Sequence, residues 1–341
     1  MKPLSLWTRY GDLGASSRLR FRQYIPFLTA AGWDVTRHGF FSDDYLRRLY
    51  AGKGRSAAAL ISGWMRRLRE MRNEAPDTPA LIEYELLPYL PFAREKRFLR
   101  SRKYVLNFDD AVELRYARLP GLRHKFRELV RGAAGVIVAN AALHARFAPF
   151  NANVLDLPTV PPPLPPDFPP EPAARFTLVW IGTPVTFAYL RERSEALKQA
   201  AQVTDLELLI VGGTAPLPGV RCEVIPWSEE AELAALRRAH AGIMPLPDTP
   251  FARGKSAYKL LRYLQCGLPA VASPVGENRR VLRPGETGFF AETDAEWTAA
   301  VSQLADPARR DAMRAAIRDA AEKYTLKAAA NRLTAFLSVL E

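Results

Sequence analysis

The sequence has few cysteines, few histidines and no long apolar run. Its 341 residues include two cysteines and four histidines. Cys222 and Cys266 have neither a CxxC motif nor Cys/His spacing, which excludes a disulfide framework and a cysteine-based zinc site. No window approaches about 18 uncharged apolar residues, and the opening MKPLSLWTRYGDLG lacks the apolar segment of a signal peptide. We therefore expect a cytoplasmic protein without a membrane-spanning helix.

Charge is plentiful but unevenly distributed along the chain. Residues 1–168 contain 27 Lys and Arg against 16 Asp and Glu, whereas residues 169–341 contain 21 against 20. Most of the net charge of +12 therefore lies in the first half. This distribution favours contact of the first half with an anionic surface, which could be phosphate, nucleic acid or acidic lipid.

A proline-rich segment divides the chain. Nine of the fifteen residues in 158–172 are proline, so this stretch can be neither a helix interior nor a central strand. A chain of this length also exceeds one ordinary hydrophobic core. We predict a first domain over 1–160, a connector over 161–173 and a second domain over 174–324. We expect a final helical segment, 325–341, to pack back on the first domain.

Short apolar runs alternate with helical patterns in both halves. The predicted strands are 4–8, 33–38, 79–84, 104–108, 135–139, 176–181, 206–211, 221–225, 241–245 and 270–273. The predicted helices are 17–31, a mostly helical basic stretch over 43–71, 122–133, 189–203, 229–238, 257–265, 296–304, 308–323 and 326–340. Such alternation is typical of parallel sheets covered by helices on both faces. We therefore predict two doubly wound, Rossmann-like α/β domains that face a central cleft, with the ligand site between them.

A cationic segment follows the predicted strand GIMPL of residues 242–246. Arg253, Lys255 and Lys259 surround the expected start of a helix near Ser256 or Ala257. The free N–H groups and the positive end of a helix, together with these side chains, would suit a diphosphate. The alternative is that 253–262 is an ordinary solvated face of basic residues, and the Gly and Pro residues on both sides of the segment make this alternative less favoured.

Paired carboxylates follow another predicted strand, YVLNF. Asp109 and Asp110 should project from its carboxyl end, where a carboxylate could accept the proton of a hydroxyl group. Paired aspartates could also hold Mg²⁺ or Mn²⁺. Glu83 and Glu85 come just after the apolar run ALI of the preceding strand; they are weaker candidates for the cleft, and we expect them to be solvated loop carboxylates.

A series of motifs stands in a recognisable order along the chain. The motifs are FDDA (108–111), VIVAN ending at Asn140, LPT (157–159), WIGTP (180–184), IPWSEE (225–230), GIMPL (242–246), RGKSAYKLLRYLQCGLP (253–269), ASPVGEN (272–278) and TGFF (287–290). Residues 176–340 thereby resemble the nucleotide-binding domain of a family 4 glycosyltransferase of the GT-B fold, in a bacterial branch that acts on surface polysaccharide or lipopolysaccharide. The earlier motifs resemble the first domain of that branch.

The resemblance implies transfer of a sugar from a nucleotide-sugar donor, such as a UDP- or GDP-sugar, to a saccharide or lipid-linked acceptor. It further implies retention of the anomeric configuration, with cationic side chains and no metal or cofactor. Catalytic roles would fall to Asp109, Asp110 and Lys255. Donor-binding roles would fall to Gly14, Gly182, Thr183, Trp227, Arg253, Lys255, Lys259 and Arg262. Trp227 would cover the nucleobase, although an ordinary core aromatic explains it as well.

One departure from the family concerns the ribose contact. The usual pattern of two glutamates separated by seven residues is absent, and its positions correspond to Gly254 and Arg262. The familiar Arg and Lys after the first strand of the second domain are also missing from WIGTPVT. The group that holds the ribose is therefore unassigned.

Basic and apolar residues are interleaved over 46–72 and again over 94–103. Such a pattern suits an anionic membrane surface and predicts peripheral association with the cytoplasmic face of the inner membrane. No nucleic-acid-binding motif is visible, so we expect no nucleic-acid partner. Two alternatives remain at this point: a non-hydrolysing sugar-nucleotide epimerase of the same fold, and a non-enzymatic adaptor that binds membrane or RNA through its basic half.

Overall fold

A computed structural model describes residues 1–340 of the chain. The strands are β1 (Lys2–Tyr10), β2 (Trp33–Phe41), β3 (Ala80–Glu83), β4 (Tyr104–Phe108), β5 (Gly135–Val138), β6 (Val154–Asp156), β7 (Phe176–Ile181), β8 (Leu206–Val211), β9 (Arg221–Ile225), β10 (Ala241–Met244), β11 (Ala270–Ala272) and β12 (Gly288–Phe290). The helices are α1 (Ala15–Arg20), α2 (Ile25–Ala30), α3 (Asp43–Tyr50), α4 (Ala57–Asn73), α5 (Ala93–Leu99), α6 (Lys125–Gly132), α7 (Ala141–Phe147), α8 (Phe187–Arg191), α9 (Ser194–Val203), α10 (Glu229–Arg238), α11 (Pro250–Arg253), α12 (Tyr258–Gln265), α13 (Asn278–Val281), α14 (Asp294–Ala305), α15 (Pro307–Glu322) and α16 (Leu326–Phe336).

The chain forms two compact units. The first contains Met1–Pro162, the short segment Gly254–Ser256 and residues 326–340. The second contains Pro163–Arg253 and Ala257–Thr325. The boundary at Pro162 falls inside the proline-rich segment, where missing backbone N–H groups prevent a strand or helix from continuing.

The first unit is built on a six-stranded sheet in the order β2-β1-β3-β4-β5-β6, with every adjacent pair parallel. Leu81, Ile82 and Leu106 are completely buried in its central strands. Their runs are continuously apolar because helices cover both faces of a parallel sheet. The chain passes from β1 to its neighbour β2 and then crosses back over β1 to β3, so the strand order reverses between β1 and β3. The carboxyl ends of β1 and β3 therefore form the switch point where ligands of such sheets collect.

The second unit repeats this plan with a sheet in the order β12-β11-β10-β7-β8-β9, again entirely parallel. Its core includes the fully buried Trp180 of β7 and Trp297 of α14, which belong to one cluster with the apolar residues of β7 and β8. The switch point of this sheet lies between β7 and β10. The turns that follow these two strands are consequently the first place to look for a ligand site.

The predicted α/β arrangement with two parallel sheets is confirmed, and some details differ. Strands β6 and β12 were not predicted, because each is a short strand at the edge of its sheet whose residues are mostly half-buried, whereas the equally short β11 is interior and buried throughout. The basic stretch over 43–71 divides into α3 and α4, since Gly52 and Gly54 adopt positive φ angles and Ser56 then caps α4. Within residues 1–340, every helix is too short or too polar to span a membrane.

Candidate functional site

The carboxyl edge of the first sheet carries several predicted catalytic residues. Strand β3 leads directly to Tyr84, and the adjacent strand β4 leads to Asp109 and Asp110. Because carboxyl ends of parallel strands meet at one edge, these side chains are brought together. Asp109 and Asp110 are both half-buried.

Lys255 lies against Asp110 at this edge. Its Nζ is 3.0 Å from Oδ1 and 3.2 Å from Oδ2 of Asp110, although 145 residues separate them. The side chains are only 16% and 29% exposed. The preceding residue, Gly254, accepts a 2.7 Å hydrogen bond at its carbonyl from the side-chain amide of Asn140. The structure therefore brings together two of the three residues predicted to be catalytic.

Asp109, the third, has an unusual electrostatic environment. Burial raises the pKa of its carboxyl group to about 7, and the carboxylates of Asp110 and Glu83 contribute in the same direction. The hydrogen bond from the hydroxyl of Tyr84 and the charge of Arg20 oppose this shift in pKa without cancelling it. Asp109 can therefore exchange a proton near neutral pH, as a general acid or base must.

Tyr84 was not identified from the sequence. Its φ angle of 62° lies in the left-handed region, and its backbone N–H donates to the carbonyl of Asn107 at 3.1 Å. This conformation is unfavourable for a tyrosine, and such strain tends to persist where surrounding contacts over-determine it. Its position immediately after the short apolar strand β3 could have indicated a side chain at the carboxyl edge of the sheet.

The expectation for Glu83 and Glu85 is wrong: both are buried, with 1% and 3% exposure. Glu83 accepts hydrogen bonds from the backbone N–H of Arg9 at 2.7 Å and from the hydroxyls of Ser16 and Ser17. Strand β3 lies in the interior of the sheet, so its end is covered by α1 rather than by solvent. Burial raises the pKa of Glu83, while these hydrogen bonds lower it.

Gly14 occupies the turn between β1 and α1. It is buried, and an added Cβ would lie 2.3 Å from the Cβ of Tyr10. Its carbonyl accepts a 2.8 Å hydrogen bond from the N–H of Arg18. A side chain at position 14 would therefore displace the turn at the switch point of the first sheet.

Three turns approach one another at the carboxyl edge of the second sheet. A Cβ on Gly182 would lie 2.2 Å from the ring of Trp180. Gly212 has a φ angle of 77°, and a Cβ there would lie 2.3 Å from the carbonyl oxygen of Gly182 and 3.3 Å from the Cβ of Trp227. The N–H of Thr183 donates to the hydroxyl of Thr186 at 3.1 Å. The turns that carry the predicted donor residues Gly182, Thr183 and Trp227 therefore lie close to one another.

Trp227 is held by a chain of polar contacts that the sequence did not reveal. Its indole Nε1–H donates to Oε2 of Glu232 at 2.8 Å. The other oxygen of Glu232 accepts from Nε of Arg262 at 2.9 Å, and Nη1 of Arg262 donates to Gln265 at 2.8 Å. Arg262 and Glu232 are 2% and 5% exposed. Arg262 is therefore buried beneath Trp227, where it orients Glu232.

The remaining predicted cations lie on either side of Ala257. The guanidinium of Arg253 pairs with both carboxylate oxygens of Asp248, at 2.6 and 2.9 Å, in an exposed position. Lys259 places its Nζ 5.6 Å from the centre of the Trp180 ring. Ala257 itself has a left-handed φ angle of 52° immediately before α12. Gly276, with a φ angle of 55°, packs so closely that a Cβ would lie 2.5 Å from the carbonyl oxygen of Arg253.

Known proteins resemble this chain in two ways. Residues 175–306 match the family described as "Glycosyl transferases group 1". No match is found among curated proteins. The chain resembles the structure of sucrose-phosphate synthase from Thermosynechococcus elongatus, with a TM-score of 0.71, 17% identity, and coverage of 99% of this chain and 98% of that one.

Two further structures have the same architecture. The lipopolysaccharide outer core galactosyltransferase WaaB in its apo form has a TM-score of 0.60 and 11% identity, and 99% of each chain is covered. The pneumococcal O-GlcNAc transferase GtfA in complex with UDP and GlcNAc has a TM-score of 0.61 and 13% identity, with 82% of this chain and 60% of that one covered.

At these identities the structural likeness concerns the fold. The chain has the two-domain α/β fold of GT-B glycosyltransferases, and this prediction is confirmed. Together with the family match, the fold supports a glycosyltransferase. Membership of family 4 and the lipopolysaccharide type stay predictions.

Proposed function

We propose that the protein transfers a sugar from a nucleotide-sugar donor to a glycan or lipid-linked acceptor. The observation that carries the proposal is the run Arg253–Lys259, in which three cations occur within seven residues between the last residue of α11 and the first turn of α12. A leaving nucleoside diphosphate requires neutralisation of developing negative charge, and oriented cations provide it. The family match over 175–306, which contains this run, supports the same function.

The donor would bind through its diphosphate to Arg253, Lys255 and Lys259, with Gly182 and Thr183 lining the opposite side. Gly182 and Gly212 keep the turns after β7 and β8 close together, because a Cβ on Gly182 would collide with Trp180 and one on Gly212 with the carbonyl oxygen of Gly182. Trp227 would stack on the nucleobase. Its hydrogen bond to Glu232 fixes the plane of the indole before a ligand binds.

The acceptor chemistry would use the paired aspartates. As the bond between the anomeric carbon and the diphosphate oxygen breaks, its electron pair leaves with the nucleotide, and the acceptor oxygen forms the new bond. The acceptor proton would pass to a carboxylate, and Asp109 is the best candidate because its pKa lies near 7. Lys255 would hold Asp110 in place and share its charge with the leaving group.

We expect a retaining reaction without a divalent metal requirement. The support for metal independence is the supply of cationic side chains in the Arg253–Lys259 run, which can serve the leaving group as a metal would. Activity that survives EDTA and an unchanged anomeric configuration in the product would agree with this proposal. Complete loss of activity in EDTA, with recovery on adding Mg²⁺ or Mn²⁺, would contradict it.

An anionic membrane surface is the partner that we propose for the first domain. On α4, Ile61, Met65 and Leu68 are 50%, 60% and 40% exposed and recur at i, i+4 and i+7 on one face. Arg69 and Arg72 follow on the same helix. An exposed apolar row beside basic residues supports peripheral binding near a lipid-linked acceptor.

Nucleotide binding tests the proposal directly. Calorimetry with UDP, GDP and ADP should give binding of at least one nucleotide, and Lys255→Ala with Lys259→Ala should weaken it at least tenfold, because charge-assisted hydrogen bonds contribute about 1.5–3 kcal/mol each. The matched control is Lys103→Ala with Lys327→Ala, which removes the same charge elsewhere. Absence of binding to every nucleotide, or equal affinity in both double variants, would refute the site.

A further inference from the structure

A cavity lies in the second unit, at the amino-terminal edge of its sheet. It has a volume of about 600 Å³. Its walls come from the proline-rich segment (164–172), the chain before β10 (236–240), the chain before β11 (264–269) and one face of α15 (307–321). We call this cavity the arginine groove. Its volume is in the range of small-molecule sites.

The arginine groove is separate from the proposed donor site. Helix α12 begins beside the carboxyl edge at Tyr258 and ends at Gln265, which lines the groove. Eight helical residues span about 12 Å, so the two ends of α12 mark two different places. None of the residues proposed to bind the donor diphosphate lines the groove.

Positive charge dominates the walls of the groove. Four arginines line it, and three of them, Arg310, Arg314 and Arg318, recur every four residues on one face of α15. The fourth, Arg237, comes from the end of α10. The one acidic lining residue, Asp311, forms an ion pair with Arg314, in which a carboxylate oxygen lies 2.8 Å from the guanidinium nitrogen Nη2. A net positive charge therefore remains.

The polar groups that line the groove are mainly hydrogen-bond donors. Nδ1 of His240 accepts the backbone N–H of Thr177 at 3.1 Å, which assigns the ring proton of the neutral histidine to Nε2. Burial, followed by the charge of Arg310, lowers the pKa of His240, so the neutral form prevails at neutral pH. A ligand that offers only acceptors, such as a phosphate group, suits guanidinium and imidazole donors.

The floor of the groove is apolar. Leu236, Leu264 and Leu268 are buried, and the ring of Phe168 lies under the guanidinium of Arg237 at 4.8 Å. An inorganic anion would leave this surface without a partner. A ligand that carries both a phosphate and a short apolar chain would use both parts of the groove.

We propose that the arginine groove binds an organic phosphate with an apolar chain, its phosphate at Arg314 and Arg318 and its chain over the apolar floor. A phosphate group with an apolar chain occurs both in a free alkyl phosphate and in a phospholipid. This site does not depend on the proposed transferase activity, since it shares no residue with the donor or catalytic sites.

Octyl phosphate is the probe for this proposal, measured by calorimetry below its micelle concentration. We expect Arg314→Ala with Arg318→Ala to weaken binding at least tenfold. The matched control, Arg309→Ala with Arg221→Ala, removes two exposed arginines outside the groove and should change affinity less than twofold. Equal loss in both double variants, or no loss in either, would overturn the proposal. Arg318→Ala alone keeps the Arg314–Asp311 pair and repeats the test if the double variant unfolds.

Further ligands distinguish a free organic phosphate from a phospholipid, and a further variant distinguishes the arginine groove from the proposed donor site. Inorganic phosphate should bind at least tenfold more weakly than octyl phosphate, and equal affinity would refute the role of the apolar floor. Vesicles containing phosphatidic acid should compete with octyl phosphate if the source is a lipid headgroup, and absence of competition assigns the groove to free organic phosphates. Lys255→Ala should leave octyl phosphate binding unchanged. Loss of octyl phosphate binding in Lys255→Ala would show that the ligand binds at the proposed donor site and would refute binding in the arginine groove.

Discussion

The hydroxyl of Tyr84 donates a hydrogen bond to the carboxylate of Asp109, and the two residues directly follow the adjacent strands β3 and β4. This contact lowers the pKa of Asp109, whereas burial and the nearby carboxylates of Asp110 and Glu83 raise it. The net result is a carboxyl group with a pKa of about 7. Its protonation therefore affects both stability and the proposed chemistry.

Asp109→Asn should make stability less dependent on pH. Because the pKa is higher in the folded state, the wild-type protein loses stability as pH rises from about 4, where the unfolded group ionises, to about 7. Asparagine resembles the protonated acid and avoids this loss. In urea unfolding we expect the wild type and the variant to have the same free energy of unfolding at pH 4. At pH 8 the free energy of unfolding of the variant should be higher by at least about 1 kcal/mol.

The control for that experiment is Asp34→Asn, which changes an exposed aspartate on β2. It should shift the free energy of unfolding by less than about 0.5 kcal/mol across the same range. Parallel curves for wild type and Asp109→Asn between pH 4 and 8 would show that Asp109 is not the group with the raised pKa.

Transferase activity should depend on the same ionisation. If Asp109 accepts the acceptor proton, kcat/KM rises with pH through about 7, and Asp109→Asn removes at least 99% of it. Tyr84→Phe removes a hydrogen bond that lowers the pKa of Asp109, so the rising limb should move to higher pH. Tyr50→Phe, a change at a partly exposed tyrosine on α3, serves as control. A pH profile identical in Tyr84→Phe and wild type would contradict this coupling.

Trp227 offers a test that separates a nucleobase contact from a structural role. Trp227→Ala should weaken binding of the preferred nucleoside diphosphate about tenfold or more, through loss of stacking, but leave inorganic pyrophosphate affinity unchanged. Glu232→Gln should weaken nucleotide binding to a smaller degree, because it disturbs the hydrogen bond that orients the indole. Equal loss for nucleotide and pyrophosphate, with a lowered melting temperature, would identify Trp227 as an ordinary core residue.

Most strands, and the parallel arrangement of both sheets, could be predicted from the sequence. Buried parallel strands, such as those around Leu81 and Leu208, form continuous apolar runs. Strands β6 and β12 could not be predicted in this way, since they lie at sheet edges and their short segments are mostly half-buried, unlike the interior strand β11. Sequence could also indicate which residues follow strand ends, which identified Asp109 and Asp110 as candidates for the edge of the sheet.

Contacts between distant residues explain what the sequence could not predict. The pairing of Lys255 with Asp110 joins positions 145 residues apart, and no local pattern encodes it. Arg262 was expected to bind the donor, yet its ion pair with the buried Glu232 depends on how α10 and α12 pack. Glu85 resembled a solvated residue because its partners, Arg9 and Lys125, are remote in sequence.

The exposed row on α4 predicts binding to anionic vesicles. Replacing Ile61, Met65 and Leu68 by Ser should reduce sedimentation with phosphatidylglycerol vesicles at least tenfold, because apolar burial supplements the attraction of basic residues. Val185→Ser with Val203→Ser is the matched control, since these second-unit valines are 69% and 70% exposed. Undiminished sedimentation of the α4 variant, or salt-insensitive binding of the wild type, would argue against this surface.

Lys125 connects two buried carboxylates in the first unit, and its removal should be costly. Its Nζ lies 2.6 Å from Oε2 of Glu85 and 2.6 Å from Oε1 of Glu95, and all three side chains are 0% exposed. Burial would lower the pKa of Lys125, but the two glutamates raise it above its ordinary value. Lys125→Met leaves two buried carboxylates with less compensation, so we expect a loss of about 3–5 kcal/mol in the free energy of unfolding.

The pH dependence of that loss identifies its cause. Burial already raises the pKa of Glu95, and loss of the Lys125 charge should raise it further. A carboxyl group with a raised pKa in the folded state costs stability as pH rises through that pKa, so the deficit of Lys125→Met should be greater at pH 8 than at pH 5. Adding Glu85→Gln and Glu95→Gln should recover part of the deficit at pH 8, since neutral amides remove the uncompensated charge. A deficit that is equal at both pH values and unaffected by the glutamines would assign the loss to packing of the lysine stem instead.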